Sequence, residues 1–377
     1  MQVNFAYRFR IYPNEEQKIL LAKHFGSCRF VWNYFLNERK EFYLKNKEEI
    51  EAKRIKGSLN YYDNARELTQ LKQKEEYKWL NEVNSQSLQT TLKNLEGSYK
   101  SFFRKTHHFP KFKNKHHKQS FTIPQNFKIE NNKIIFPKFK DGIKVKEHRK
   151  VEGRFVVATI SKNSVNQYYV SIIVEKEFKS LEKLQVAVGI DLGIKDTATL
   201  SNGVVYENIK PLRKGMKKLK FLQRQLSKAK KGSKNRKKRQ FKLAKYHLKI
   251  SNIRNDYLHK TTHQISKENQ FVAMENLNVS GMIKNHKLAQ SISDVGWHEF
   301  KRQLEYKCKW RGRELVIIDR FFPSSKLCNV CNTINQELTL KDREWTCKVC
   351  NTTHKRDLLA SRNILKQGLN MAAGIAV

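Results

Sequence analysis

Four cysteines, Cys328, Cys331, Cys347 and Cys350, stand in a C-x2-C-x15-C-x2-C frame near the end of the chain. Each C-x2-C turn aims two sulfurs at one point, and four thiolates around one point form the tetrahedron that Zn2+ takes. The frame predicts a small zinc knuckle over 324–352 with these four residues as ligands. Four sulfurs leave no open position for water, so the zinc is expected to be structural. Cys28 and Cys308 lie outside the frame and read as packing residues. Cysteines spent on a metal agree with a reducing compartment.

A chain of 377 residues exceeds what one compact core holds and predicts two or three domains. Its 76 Lys and Arg against 35 Asp and Glu give a formal charge of +41. Such an excess repels itself unless a polyanion neutralises it, which makes nucleic acid the expected partner. No apolar run approaches the roughly 18 residues of a spanning helix. Residues Met1 to Phe5 carry neither the charged nor the apolar region of a signal peptide. The expectation is a cytoplasmic protein with no membrane partner.

The apolar period changes along the chain. Residues 3–11, VNFAYRFRI, alternate as a half-buried strand does, and Tyr12-Pro13-Asn14 ends it. With Asn14 as N-cap, Glu15 to Lys47 keeps helical spacing, and a second helical stretch runs from Asp63 to about Thr106. Short β-rich runs between about 109 and 180 predict an antiparallel barrel or sandwich that the first strand could join. From Val186 onward, strands ending at Asp191, Glu275 and Asp319 alternate with helical segments, which predicts an α/β domain.

Between Lys210 and Lys249 there are 18 Lys or Arg and no Asp or Glu, over a narrow apolar stripe broken at Lys231-Gly232-Ser233-Lys234. The pattern predicts a basic helical hairpin over about 212–265. A solvated face normally interleaves both signs, so this face is expected to meet nucleic acid through Lys217, Lys218, Arg224, Arg236 and Arg239. Ser85, Gln86 and Gln89, after Asn84, read two ways: as readers of base edges or as the polar first turn of a capped helix. Tyr61, Tyr62 and Phe121 fit base stacking or core, core being the commoner use. His107, His108, His116 and His117 read as a basic loop and not as a second metal site.

In so basic a chain, carboxylates at the ends of buried strands are conspicuous. Asp191 follows VAVGI, Glu275 follows FVAM, and Asp357 opens the helical run DLLASRNIL. Phosphodiester hydrolysis by two Mg2+ ions needs two or three such acids from separate elements. Each also has an ordinary reading as a strand-end or helix-cap residue. Asp319, after LVII, has the same local appearance.

The acids lie in longer strings: VGIDLGIKDTATLSNG (188–203), FVAMENLNVSGM (271–282), SDVGWHEFKRQLEYKCKWRG (293–312), DRFFPSSKLCNVC (319–331) and HKRDLLASRNIL (354–365). With YRFRIYPNEEQ (7–17), FGSCRFVWN (25–33), VNSQSLQTTLKNLEGSYKSFF (83–103) and FPKFK (109–113), the chain resembles TnpB over almost its whole length. TnpB proteins are the OrfB-type proteins of insertion sequences and resemble type V CRISPR effectors. The resemblance implies an RNA-guided DNA endonuclease that cuts double-stranded target DNA beside a short transposon-associated motif. Its guide RNA would come from the transposon end.

It also implies a multidomain fold of α/β, β-barrel and helical parts. A wedge β-barrel would occupy 1–13 and 106–182, with a helical recognition domain inserted at 14–105. An RNase H-like RuvC nuclease domain would occupy 183–323 and 353–377, with the zinc knuckle at 324–352 as a target-nucleic-acid-binding insertion. Asp191, Glu275 and Asp357 would hold two Mg2+, with Mn2+ as a substitute. The oligomeric state, monomer or dimer, stays open.

Four positions depart from the family's pattern. Lys355 replaces the first Asp of D-R-D-x-N-A and Leu359 its Asn, while Asn332 and Asn351 replace the Gly that often follows each C-x2-C. Lys355 and Leu359 predict slower cleavage. Two other functions use the same ingredients: a non-cleaving RNA-guided DNA-binding repressor, and a transposase or its DNA-binding accessory.

Overall fold

A computed structural model describes residues 2–52, 54–55, 57–116, 118–177, 182–339 and 341–374. The chain forms two compact units, Gln2–Glu177 and Phe178–Val377.

The first unit begins with β1 (Gln2–Tyr12), whose Val3, Tyr7, Phe9 and Ile11 point inward. Asn14 and Gln17 then close a reciprocal capping box that starts α1 (Glu15–Lys45). The short α2 (Lys47–Glu51) follows. The long helical stretch expected up to Thr106 is divided into α3 (Tyr61–Leu71), a 3-10 turn at Glu75–Glu82, and α4 (Ser85–Phe103). Arg39 of α1 joins these helices from inside: its guanidinium pairs with Glu96 of α4 at 3.0 Å and donates to Asn64 of α3 at 2.7 Å.

Six further strands complete the unit: β2 (Gln119–Ile123), β3 (Lys128–Glu130), β4 (Lys133–Phe136), β5 (Phe139–Lys146), β6 (Arg154–Lys162) and β7 (Tyr168–Glu177). They form one antiparallel sheet in the order β2-β6-β7-β1-β5-β4-β3, with the N-terminal strand near the centre. Among the described residues the end strands β2 and β3 do not pair with each other, so strand pairing leaves the expected barrel open. One core unites sheet and helices, from Phe9 and Ile11 through Phe25, Phe35, Leu88 and Leu92 to Phe121 and Ile172. Phe121, one candidate for base stacking, is thus a core residue, whereas Tyr62 is exposed and Tyr61 packs partly against the core. Cys28 is also buried, as expected for packing, and burial pushes its thiol up to about 11.

In the second unit, β8 (Ala187–Asp191), β9 (Asp196–Leu200) and β10 (Val205–Glu207) form an antiparallel meander. The basic hairpin follows as α5 (Pro211–Ser227) and α6 (Lys234–Glu268). Next come β11 (Phe271–Glu275), α7 (Val279–Met282), α8 (His286–Val295), α9 (Trp297–Arg311) and β12 (Glu314–Ile318). The sheet order is β10-β9-β8-β11-β12, with β11 parallel to both β8 and β12. A small hairpin, β13 (Glu344–Thr346) and β14 (Thr353–Lys355), then leads into α10 (Arg356–Ala372).

Both faces of this sheet are covered, which is why FVAM is apolar throughout. Val272 and Met274 pack with Val188 and Ile190 against Leu258, Ile265, Phe300, Leu304 and Cys308 of α6 and α9. Phe271, Ala273 and Ile318 pack on the other side with Ile364 of α10. There the helix almost touches the sheet backbone. A β-carbon placed on Gly189 would stand 2.0 Å from the Ser361 carbonyl oxygen, and one on Gly368 would stand 2.5 Å from the Ala273 methyl carbon. Among the described residues, no helix is long and apolar enough to cross a membrane.

Candidate functional site

Three acids lie at one end of the mixed sheet, near enough for the charges of Glu275 and Asp357 to act on Asp191. Among the described residues they do not gather as tightly as the four cysteines. Asp191 ends β8 and Glu275 ends β11, each one residue beyond the registered pair Ile190–Met274. Asp357 enters from above in the first turn of α10, where the helix dipole favours a carboxylate. Their mutual effect is visible in Asp191. Burial first, and then the negative charges of Glu275 and Asp357, push its carboxyl from 3.8 up to about 8, while Arg356 pulls the other way. Burial also raises Glu275, and a hydrogen bond from the Ser324 hydroxyl holds it down. Arg343 lies 3.7 Å from Asp357 Oδ2. Asp319 is different: its Oδ1 accepts the Phe321 amide at 2.7 Å and organises the turn after β12.

Beside the acids sits the cysteine frame. Cys328 and Cys350 sulfurs are 3.5 Å apart, as are those of Cys331 and Cys347, and all four lie within 4.8 Å of one another. A disulfide would need about 2.05 Å. A tetrahedron with Zn–S of about 2.3 Å needs sulfurs about 3.8 Å apart, so the set is compatible with a structural zinc. Among the described residues it is the group of potential ligands that gathers around one point. Exposed His107, His108 and His116 join no such group, and His117 lies outside the described residues.

The departures in this region have local physical reasons. Asn332 and Asn351 adopt left-handed φ values of 58° and 54°, and asparagine tolerates this region better than other non-glycine residues. Each donates its amide back to the first cysteine's carbonyl of its turn, at 3.0 and 2.9 Å. Leu359 is buried with Cys328, Leu338, Trp345 and Cys347, so the side chain standing for asparagine packs against the knuckle. Lys355 is exposed and pairs across the hairpin with Glu344.

Two residues that the linear sequence did not single out tie knuckle and acids together. Asn363 of α10 donates to the carbonyls of Ser324 and Leu327 at 2.8 and 2.7 Å. His354 stacks against Trp345 and places Nε2 3.1 Å from Cys328 Sγ. Ser324 and Arg343 were likewise missed, because each reaches an acid distant in sequence.

The basic residues divide into two kinds. Lys217, Lys218 and Arg224 are exposed on α5, Lys218 lying over the Tyr246 ring. Arg236 instead turns inward, donating to the carbonyls of Leu226 and Ala229 at 2.9 Å each, and Arg239 donates to Gln225 O at 2.6 Å. These two guanidiniums cap the C-terminal end of α5. In the first unit, Asn84 caps α4 by accepting the Gln86 amide. Ser85 accepts from Lys72 at 3.0 Å, and Gln89 is exposed.

The fold is that of RuvC-containing, Cas12f1-like proteins. A chain in a cryo-EM structure of the Cas12f1–sgRNA–target DNA complex superposes with TM-score 0.54 at 16% identity, covering 96% of this chain and 98% of that one. A family model described as "OrfB_IS605: Probable transposase" matches residues 169–286, and a Cas12f1-like TNB-domain model matches 297–364. A third, described as a helix-turn-helix domain, matches 1–48, where the structure has β1, the single long α1 and the start of α2. A Streptomyces pristinaespiralis protein named "Putative RNA-guided DNA endonuclease" is 37% identical over 376 residues, 99% of this chain and 91% of that protein. An Escherichia coli K12 protein, "Putative RNA-guided DNA endonuclease InsQ", is 35% identical over 96% of this chain and 92% of its own length. The chain belongs to the TnpB family of OrfB-type insertion-sequence proteins.

Proposed function

We propose that this chain is an RNA-guided DNA endonuclease that hydrolyses phosphodiester bonds at Asp191, Glu275 and Asp357. The observation that carries this reading is the placing of Asp191 and Glu275 at the ends of neighbouring parallel strands, with Asp357 in the first turn of α10 near enough for its charge to act on Asp191, in a protein of formal charge +41. A carboxyl whose ionisation is opposed by burial and by two neighbouring acids gains from a bound cation, and an all-oxygen donor set suits Mg2+. Bound there, divalent metal supplies an activated water and a stabilised leaving oxygen. The chain's own residues do the positioning. The Ser324 hydroxyl fixes one oxygen of Glu275, and the close approach of α10 to β8 at Gly189 holds together the two elements that carry Asp357 and Asp191.

The names and complexes of the relatives support RNA and DNA as partners here. In this reading the first unit supplies the wedge domain and the inserted recognition helices. The second supplies the RuvC domain with 324–352 as a zinc-stapled insertion against target nucleic acid. The zinc holds structure and takes no part in cleavage.

The test is cleavage by protein purified with its own RNA, on DNA matching that RNA. Asp191→Ala, Glu275→Ala and Asp357→Ala are each expected to abolish cutting while RNA-dependent DNA binding persists. Unchanged cutting in any of them would refute the assignment. Wild-type binding without nicking in Mg2+ would favour a repressor, and strand transfer without RNA would favour a transposase.

A further inference from the structure

Next to Asp357 lies a cavity of about 240 Å3 whose walls include Lys195, Lys210, Arg213, Asp294 and Arg343. We propose that it holds a backbone phosphate of the DNA strand being cut, beside the scissile bond; this rests on the endonuclease reading above.

The charge balance favours an anion. Asp294 is buried and already committed: Oδ1 accepts the Leu212 amide at 2.9 Å and Oδ2 the Arg213 amide at 3.0 Å. Arg254 Nη2 lies 3.4 Å from Oδ1, so the one carboxylate is neutralised from behind by a helix N-terminus and a guanidinium. Four cations then face the space. Among the described residues the Arg343 guanidinium is the one of these four side chains that pairs with an acid, Asp357, and it thereby joins the cavity to the three carboxylates.

The walls are held at a fixed spacing. Asn208 donates from Nδ2 to Ile194 O at 2.8 Å and accepts the Lys210 amide at 2.9 Å, linking the β8–β9 turn to the start of α5. Lys210 has a φ of 45°, in the left-handed region that side chains other than glycine rarely adopt. Such strain persists where the surroundings impose it, and it gathers at ligand sites. At about 240 Å3 the space is smaller than the roughly 300–1,000 Å3 of drug-sized ligand sites. A phosphate of a passing strand fits the space and the charge.

The experiment uses full-length protein with its RNA and carries Asp191→Ala so that the DNA stays intact. Affinity for target DNA is measured across salt. Lys195→Gln with Arg213→Gln removes two contacts to that one phosphate, which lowers the slope of log K against log salt by up to about 0.7 for a single strand. Over a fourfold salt change this is a difference of up to about 2.6-fold in affinity. Lys210→Gly keeps the left-handed backbone and is expected to act in the same direction, which guards against misfolding of the double variant.

DNA carrying one uncharged methylphosphonate at each position near the cut is then compared. One position weakens binding to the parent protein and leaves the double variant unaffected. An unchanged slope, or identical methylphosphonate maps, overturns the proposal while leaving the endonuclease reading intact. A slope change in RNA binding alone makes this an RNA site and also overturns it. Absence of RNA-dependent DNA binding by the parent overturns the endonuclease reading, and the proposal with it.

Discussion

The imidazole Nε2 of His354 lies 3.1 Å from the sulfur of Cys328, three residues before Asp357. A ring nitrogen donating to a thiolate fixes the orientation of that ligand, and the Trp345 ring 5.0 Å away fixes the imidazole. The strand that carries His354 continues into α10, so the residue that touches the knuckle lies two positions before the helix begins. His354→Ala is expected to weaken zinc binding about 10- to 100-fold, read by competition with a chromophoric chelator. Stripping the zinc should expose Trp345 and red-shift its fluorescence. An unchanged zinc affinity in the variant would show that the contact is incidental.

Ser324 restrains Glu275 with its hydroxyl and offers its own carbonyl to Asn363. Without that hydroxyl, nothing offsets the burial that raises Glu275. Ser324→Ala should therefore move the acid limb of the cleavage profile to higher pH. Cleavage near neutrality should fall by about 10-fold or more, as for outer partners of metal ligands. A uniform loss at every pH would point to misfolding.

Asp191 makes the metal-free protein less stable as pH rises. The folded carboxyl keeps its proton up to about 8, whereas the unfolded chain releases it near 3.8. Between those values the folded state binds the extra proton, and stability drops by up to about 1.4 kcal/mol per pH unit. Asp191→Asn carries no such charge. In chelator, its melting temperature should exceed that of the wild type by a margin that widens from about pH 5 to pH 8. A margin constant across that range would show that Asp191 is solvated.

Arg236 and the outward lysines should separate in two assays. Arg236→Ala removes two hydrogen bonds to the end of α5 and should cost about 1–3 kcal/mol of stability. Lys217→Ala or Lys218→Ala should leave melting unchanged and lower the salt slope of nucleic-acid binding by about 0.7–0.9 each. The reverse pattern would mean that the hairpin presents its other face.

What could be read in the linear sequence was whatever shows a local period or spacing. The alternation of VNFAYRFRI marked β1, and the apolar runs before Asp191 and Glu275 marked strands covered on both sides. The cysteine frame marked four sulfurs that do gather. The 3-10 turn at Glu75–Glu82 was hidden because Trp79, Leu80 and Leu88 continue the apolar spacing of the flanking helices. A charge run does not say which guanidiniums turn inward, so Arg236 and Lys217 looked alike. Ser324, Arg343, His354 and Asn363 act through contacts set by the fold, for which no neighbouring residue leaves a sign.

The absence of a side chain at Gly189 means that β8 and α10 meet backbone to backbone two residues before Asp191 and one helical turn after Asp357. Most distances in a protein core depend on the bulk of the residues between elements, and they drift as those residues exchange. This one has no spacer to exchange. At this point the spacing of β8 from α10 is set by main-chain atoms, so sequence divergence elsewhere in the core can proceed without resetting it. Even an alanine at position 189 would pry the pair apart.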